Sequence, residues 1–394
     1  MYFRLPFKNF TRTSNFCSQA LVNNKFQSKD ENKIVEHFGG LKREDKVIKT
    51  AEKFVENWNV IRWPRHGCGG RSYALIGTLA DIERALLDYA FNFVWKQLQL
   101  DDNVKNVEIV NVDDILPVST TRACGVPFQT GQNPMQYRIF NADDIYNSSQ
   151  KQIELSDDLD FCLSGTAEMG IANQLRNRVF QQDQLPTYFL SESTCFRPEI
   201  SKGGLESGLY RVHQFKKVFL VFLSKDYFLK VEMFVVCTEK QSLDELMRIV
   251  NIQKNLFSSL GLHCRLLDMC QEELGAQASQ KFDIEAWMPG RKEYGEVSSA
   301  SNCTDYQSRR LKISYRSGSS SNNTSLHYCH TCNGTGMASS RTIMALLESC
   351  QLSPRHGLQL PKFIKEMLPT ERSSVLKCGK AKPIVYFVDT GYVK

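Results

Sequence analysis

Strand-like and helix-like segments interleave along the second half of this chain, and that interleaving restricts the fold more than any other feature. "PTYFLSESTCFR" (186–197), "VHQFKKVFLVFL" (212–223) and "FDIEAWMPG" (282–290) each read as a strand. Between the last two, "VEMFVVCTEKQSLDELMRIVNIQKNLFSSL" reads as helix from Lys230 to Leu260. Upstream, "LADIERALLDYAFNFVWKQLQL" (79–100) is a helix: Ile82, Leu86, Tyr89 and Phe93 recur on one stripe, which Ala85, Ala90 and Val94 widen. "VEIVNVDDIL" (107–116) reads as strand, then turn. Near the C-terminal end, "RRLKISYRSGSSSNNTSLHYCHTCNGTG" gives two strands joined by the Ser/Asn-rich loop 317–325, and "SRTIMALLESC" (340–350) a closing helix. Strands distant in sequence with helices between them predict an α+β fold, an antiparallel sheet flanked by helices.

The N-terminal sixty residues differ in kind. Arg4, Lys8, Arg12, Lys25 and Lys29 all precede the first acid, Asp30. A basic, hydroxyl-rich, acid-free stretch has the pattern of a mitochondrial transit segment, and Phe3, Phe7 and Phe10 at near-helical spacing agree with it. An ordinary basic tail is the alternative. "ENKIVEHF" and "KVIKTAEKFVENWNVI" read as short helices split by Gly39-Gly40, and the turn-rich "RWPRHGCGGRS" (62–72) as a boundary. The expected organisation is therefore 1–29 transit segment, 30–60 short helical remnant and 61–394 core. The 394 residues are 42% hydrophobic, enough for one large core or two ordinary ones. The net charge of +6 permits contact with nucleic acid without requiring it. Thirteen scattered cysteines, an odd count, favour reduced thiols. Cys329 and Cys332 in "YCHTC" have metal-like spacing, but with no second pair they read as strand and loop packing rather than a zinc site. No apolar run is long enough to span a membrane as a helix.

Three clusters suggest chemistry. Arg197 and Glu199 stand two apart at a strand end, so both side chains point to one face, and arginine suits a phosphate. Glu296, Ser299 and Asn302 in "YGEVSSASNCTD" could hold a metal–phosphate group, and "NGTGMASSR" places Arg341 at a helix start suited to anions. No Gly-x4-Gly-Lys-Ser/Thr loop is present. A surface ion pair and a simple turn would explain the first and last equally well.

Over about residues 61–370 the sequence resembles the class II seryl-tRNA synthetases, in particular their mitochondrial animal branch. "LSGTAEMGIAN" is similar to the family's Thr-Ala-Glu serine loop, and "TCFRPE…GLYRVHQFKKV" to motif 2. "KFDIEAWMPGRKEYGEVSSASNCTDYQSRRL" and "HTCNGTGMASSRTIMALLE" are similar to the strand before motif 3 and to motif 3 itself. Helix 79–100 stands where motif 1 builds a dimer interface. The resemblance implies the class II catalytic fold and a two-step reaction, in which serine and ATP give seryl-adenylate and the seryl group passes to tRNA(Ser). It implies that Arg197 clamps the α-phosphate, Glu199 reads the adenine edge, Phe215 stacks on the ring and Arg341 holds the γ-phosphate. Arg211 joins the nucleotide site. Glu296 and Ser299 take Mg²⁺, and Thr166, Glu168, Asn333 and Thr335 line the serine pocket.

Three departures qualify that expectation. The family has glutamate after "KV" in motif 2, where this sequence has Phe219 within an apolar run, and Ser207 replaces a usual basic residue. The long N-terminal coiled-coil arm that grips tRNA is also expected to be missing, because 30–60 lack sustained heptads. Two readings result. In the first the chain binds tRNA(Ser), and other mitochondrial RNA, without ligase activity, as an insect paralogue within the family does. It would then act in the mitochondrial matrix as a homodimer or paired with the mitochondrial seryl-tRNA synthetase, and ATP and Mg²⁺ would not be required. In the second it is an active ligase using both.

Overall fold

A computed structural model describes residues 31–45, 47–63, 71–126, 136–140, 160–198, 208–217, 231–318, 325–352, 357–368 and 384–388. In chain order the strands that build and flank the site are β1 (Lys33–Gly39), β2 (Asn106–Asn111), β3 (Val179–Gln181), β4 (Thr187–Phe196), β5 (Gln214–Lys217) and β6 (Val231–Cys237). They continue with β7 (His263–Asp268), β8 (Gln280–Met288), β9 (Glu293–Asn302), β10 (Ser314–Ser317), β11 (Ser325–Tyr328) and β12 (His330–Met337). The helices used below are α1 (Ala51–Val55), α2 (Thr78–Gln99), α3 (Ala167–Gln174), α4 (Ser242–Ser259), α5 (Tyr306–Leu311) and α6 (Ser339–Ser349).

One nine-stranded sheet runs β1-β7-β8-β9-β12-β6-β4-β5, with β2 added beside β4. All its pairings are antiparallel except β2 on β4. Side chains alternate across a strand, so β6 feeds two cores. Met233, Val235 and Cys237 join the larger cluster, under α2, α4 and α6. Phe234 and Val236 face the smaller one, with Phe180, Phe189 and Leu311. Every residue from Met233 to Cys237 is fully buried. Gly334 on β12 is required by close approach: a Cβ there would lie 2.3 Å from Ile249 Cγ2 on α4.

The α+β class and the helix at 78–99 are as expected, with Ile82, Leu86, Ala90 and Val94 buried along one stripe. Three expectations need correction. "KIVEHFG" (33–39) is not part of a helical remnant but an edge strand of the main sheet, paired with His263–Asp268. The core therefore extends upstream of residue 61, and of the second expected helix only Ala51–Val55 and a short 3-10 turn, Glu56–Trp58, form. Residues 231–237, expected as the start of the helix ending near Leu260, are strand β6, and the helix proper begins at Ser242. A run apolar on every side suits a strand covered on both faces as well as a helix, and the neighbours on the sheet decide it. Cys329 and Cys332 are fully buried free thiols, and among the described residues no group of three or more His, Cys, Asp or Glu could hold a metal.

Candidate active site

The sheet face opposite the larger core carries the polar residues, and strand register explains how they meet. Glu232 lies opposite Thr335 on one side and Ser191 on the other. Asn333 lies opposite Phe234, so Asn333, Thr335 and Glu232 share a face. On β9, Glu296 and Ser299 are three apart, and strict alternation would turn them to opposite faces. The ladder shifts there: Glu296 pairs with Glu285 but Ser298 with Ile284, which leaves Val297 as an extra residue. This β-bulge restores both Glu296 and Ser299 to the face of Asp283 and Glu285.

Two polar centres result. In the first, Arg197, Arg211, Glu296, Ser299, Thr335 and Arg341 line one cavity with Tyr210. Arg341, in the first turn of α6, donates from Nη1 to Glu296 Oε2 (2.9 Å) and from Nε to the Tyr210 carbonyl (3.2 Å). Its guanidinium lies 4.7 Å from the Tyr210 ring centre, and Arg291 lies 5.7 Å from that ring. Arg197 follows β4, where its amide donates to the His213 carbonyl (2.9 Å) and fixes it beside β5. Burial alone would raise the Glu296 carboxyl, but Arg341, Lys281 and Arg197 outweigh it and hold the group at about 2, ionised throughout the neutral range. Asp283 lies deeper, bonded to Lys281 Nζ (2.8 Å), and desolvation together with the Glu296 charge lifts it to about 7.

The second centre surrounds the N-terminus of α3. Thr166 is its extended N-cap residue, and its hydroxyl donates to Glu232 Oε2. The same oxygen accepts the Glu168 amide (3.0 Å). The Glu168 side chain accepts from Asn333 Nδ2 (2.9 Å) and from Gln307 Nε2 (2.5 Å) of α5. Gln307 in turn accepts from Thr331 (2.8 Å). Two carboxylates, a hydroxyl and two carboxamides thus converge in a mostly buried cluster, a set suited to a small ligand with an ammonium and a hydroxyl group.

The expected residues Arg197, Arg211, Glu296, Ser299, Thr335 and Arg341 therefore share one cavity, while Thr166, Glu168 and Asn333 meet in the hydrogen-bonded cluster around Glu232. Phe215 is on β5, opposite Cys195. Glu199, Ser207 and Phe219 lie outside the described residues. Sequence reasoning missed Glu232, Tyr210, Lys281, Asp283 and Gln307. It also expected no carboxylate beside Thr166 and Glu168, whereas Glu232, at the start of β6, accepts hydrogen bonds from both. The signal was present, because "KV" recurs after 217–218 at 230–231, and a glutamate follows it there.

Comparison with known proteins agrees with this geometry. Residues 152–350 match the family "tRNA synthetase class II core domain (G, H, P, S and T)". The mitochondrial serine–tRNA ligase of Bos taurus is 36% identical over 324 residues, which is 81% of this chain and 55% of the relative. That of Mus musculus is 37% identical over 321 residues, 80% of this chain and 54% of the relative. The chain thus spans about half the length of these curated relatives. Among solved structures, cytoplasmic serine–tRNA ligase from Naegleria fowleri in complex with AMP superposes with a TM-score of 0.69 at 26% identity, covering 86% of this chain and 71% of that one. Seryl-tRNA synthetase from Pyrococcus horikoshii has the same fold, with a TM-score of 0.68 at 24% identity over 87% of this chain and 72% of that one. Sheet, site face and sequence together place this chain in the class II tRNA synthetase core family, as a homologue of the seryl-tRNA ligases, mitochondrial ones among them.

Proposed function

We propose that this chain is a mitochondrial serine–tRNA ligase, which joins serine to ATP as seryl-adenylate and passes the seryl group to tRNA(Ser). The observation that carries this reading is the Glu232 carboxylate, set between Thr166 and Glu168 where the serine ammonium would need an acceptor. Arg197 and Arg341 would hold the α- and γ-phosphates, Arg211 would add to the nucleotide site, and Glu199 and Phe215 would engage the adenine. Glu296 and Ser299 suit Mg²⁺, a hard cation that takes oxygen ligands, because one is held ionised and the bulge turns the other to the same cavity. The ion would neutralise phosphate charge. The rest of the catalysis is positioning by this chain's own arginines and carboxylates.

The mitochondrial assignment rests on the mitochondrial relatives and on the basic, acid-free residues 1–29. We further propose a two-fold dimer through α2, on which Tyr89, Phe93 and Trp95 are each only half-buried. Sedimentation at micromolar concentration tests it, and a strictly monomeric species would exclude it. A second reading, a tRNA(Ser)-binding subunit without ligase activity, is favoured by one observation: Phe219 follows "KV" at 217–218, where the family has glutamate. Serine-dependent ATP–pyrophosphate exchange by the purified chain separates the readings. Exchange supports the ligase. Its absence in a folded chain that still binds tRNA(Ser) supports the second.

A further inference from the structure

Beyond the cavity, α5 and the small sheet β11-β10-β3 form a surface that neither the nucleotide site nor the serine pocket uses. Opposed residues in a ladder share a face, so the register sorts this sheet. Phe180, opposite Tyr315, is buried in the smaller core. Leu326, opposite Arg316, and Tyr328 and Val179, both opposite Ser314, turn the other way. Leu326 is 63% exposed, Tyr328 44% and Val179 42%.

The charge around these side chains is mainly positive. The Arg309 guanidinium lies 5.1 Å from the Tyr328 ring centre, and Arg309, Lys312 and Arg316 are all exposed. Asp305 is occupied by Arg309 at 2.6 Å. Among the described residues, Lys312 and Arg316 make no ion pair. An exposed apolar face with a basic rim could serve a protein partner or a nucleic acid. The uncompensated positive charge and the tyrosine with an arginine over it favour a nucleic acid, because a base stacks on an aromatic ring while its phosphates meet the cations.

We infer that this face, built from Tyr328, Leu326, Arg309, Lys312 and Arg316, binds a single-stranded RNA segment. α5 is the partition: its outer side carries Arg309 and its inner side Gln307, which bonds Glu168 in the serine pocket. RNA on this face therefore lies one helix away from the pocket. The inference rests on the proposed RNA-binding function, and adds a contact surface outside the site itself.

The test uses the full-length chain, a tRNA(Ser) transcript and a labelled 12-nucleotide uridine oligonucleotide, read by fluorescence anisotropy. Tyr328→Ser combined with Arg316→Glu should weaken both RNAs about tenfold or more, the expected size for one stacked base and one reversed charge. Arg309→Gln and Lys312→Gln, milder surface changes, should each lower the salt slope by about one phosphate contact. RNA carrying 4-thiouridine should crosslink to β11. Equal binding by wild type and the folded double variant, with no crosslink in β11, would overturn the inference. So would a double variant that keeps RNA affinity but loses self-association, which would make the face a protein interface. No RNA binding by the wild type would instead remove the underlying RNA-binding reading.

Discussion

Glu232 closes the N-terminus of α3 through Thr166, whose hydroxyl donates to the same carboxylate oxygen that accepts the Glu168 amide. The helix dipole favours negative charge at that end, so Glu232 both supports the fold and presents charge to the pocket. Glu232→Gln keeps the shape but removes the charge. In pyrophosphate exchange it should raise the KM for serine about 10–100-fold, the range expected for a lost charge-assisted hydrogen bond, and leave the KM for ATP near the wild-type value. Phe219→Glu should not improve serine use, because the pocket already has its acid. A rescue by Phe219→Glu would show that Glu232 is not the serine ligand.

The arginines that line the cavity were legible in the sequence, and the reason is local. Arg197 ends a strand, Arg341 starts a helix, and both positions follow from a few neighbouring residues. Glu232 was not legible, because its role depends on register. Reading 231–237 as helix gave it a helical neighbourhood, whereas on β6 it lies opposite Ser191 and Thr335. Glu296 and Ser299 were grouped by their nearness in sequence, yet they share a face only because Val297 is bulged. Strand β1 was misread for a related reason. "KIVEHFG" is short and mixes polar and apolar residues without a clean alternation, and its pairing with β7 identifies it as strand.

Tyr210 is positioned to set the aim of Arg341. Its ring lies under the Arg341 guanidinium, its carbonyl accepts from Arg341 Nε, and Arg291 lies 5.7 Å from the ring centre. The backbone before it is held as well: Gly208 has φ +74°, and the Leu209 amide donates to Glu52 (3.3 Å), which also accepts from Arg291 (3.0 Å). Tyr210→Leu should raise the KM for ATP about 5–10-fold, as expected for a partly buried cation–π contact, with little change in the KM for serine. Tyr210→Phe keeps the ring and should stay close to wild type. Equal effects of both variants would assign the role to the hydroxyl instead.

Glu348 ties three parts of the fold together at the far end of α6. Its fully buried carboxylate accepts the amides of Ala51 (3.0 Å), Gly290 (2.8 Å) and Arg291 (3.0 Å). α1, the turn between β8 and β9, and α6 therefore meet on one side chain. Glu348→Ala strands three donors and should cost about 2–4 kcal/mol in chemical unfolding, although Glu348 touches neither polar centre of the site. A loss below about 1 kcal/mol would mean that water replaces the carboxylate at these amides.

Asp283 and Glu296 should give stability opposite dependences on pH. Glu296 is lowered from the ordinary 4.5 to about 2, so the fold binds its proton less readily than the unfolded chain. Its contribution is complete above about pH 4.5 and is lost as pH falls towards 2. Asp283 is raised from 3.8 to about 7, first by desolvation and then by the Glu296 charge, with Lys281 offsetting only part. The folded chain keeps this proton longer, so stability falls as pH rises from about 4 to about 7 and then levels off. Asp283→Asn removes that descending limb. The variant should gain on the wild type progressively across this window, by at most about 4 kcal/mol, since a tenfold change in proton affinity is worth about 1.36 kcal/mol. Urea unfolding at pH 4.5, 6 and 8 measures the gap. A gap that is constant across the three would mean that Asp283 is already ionised at the lowest pH, and that Lys281 rather than burial controls its charge.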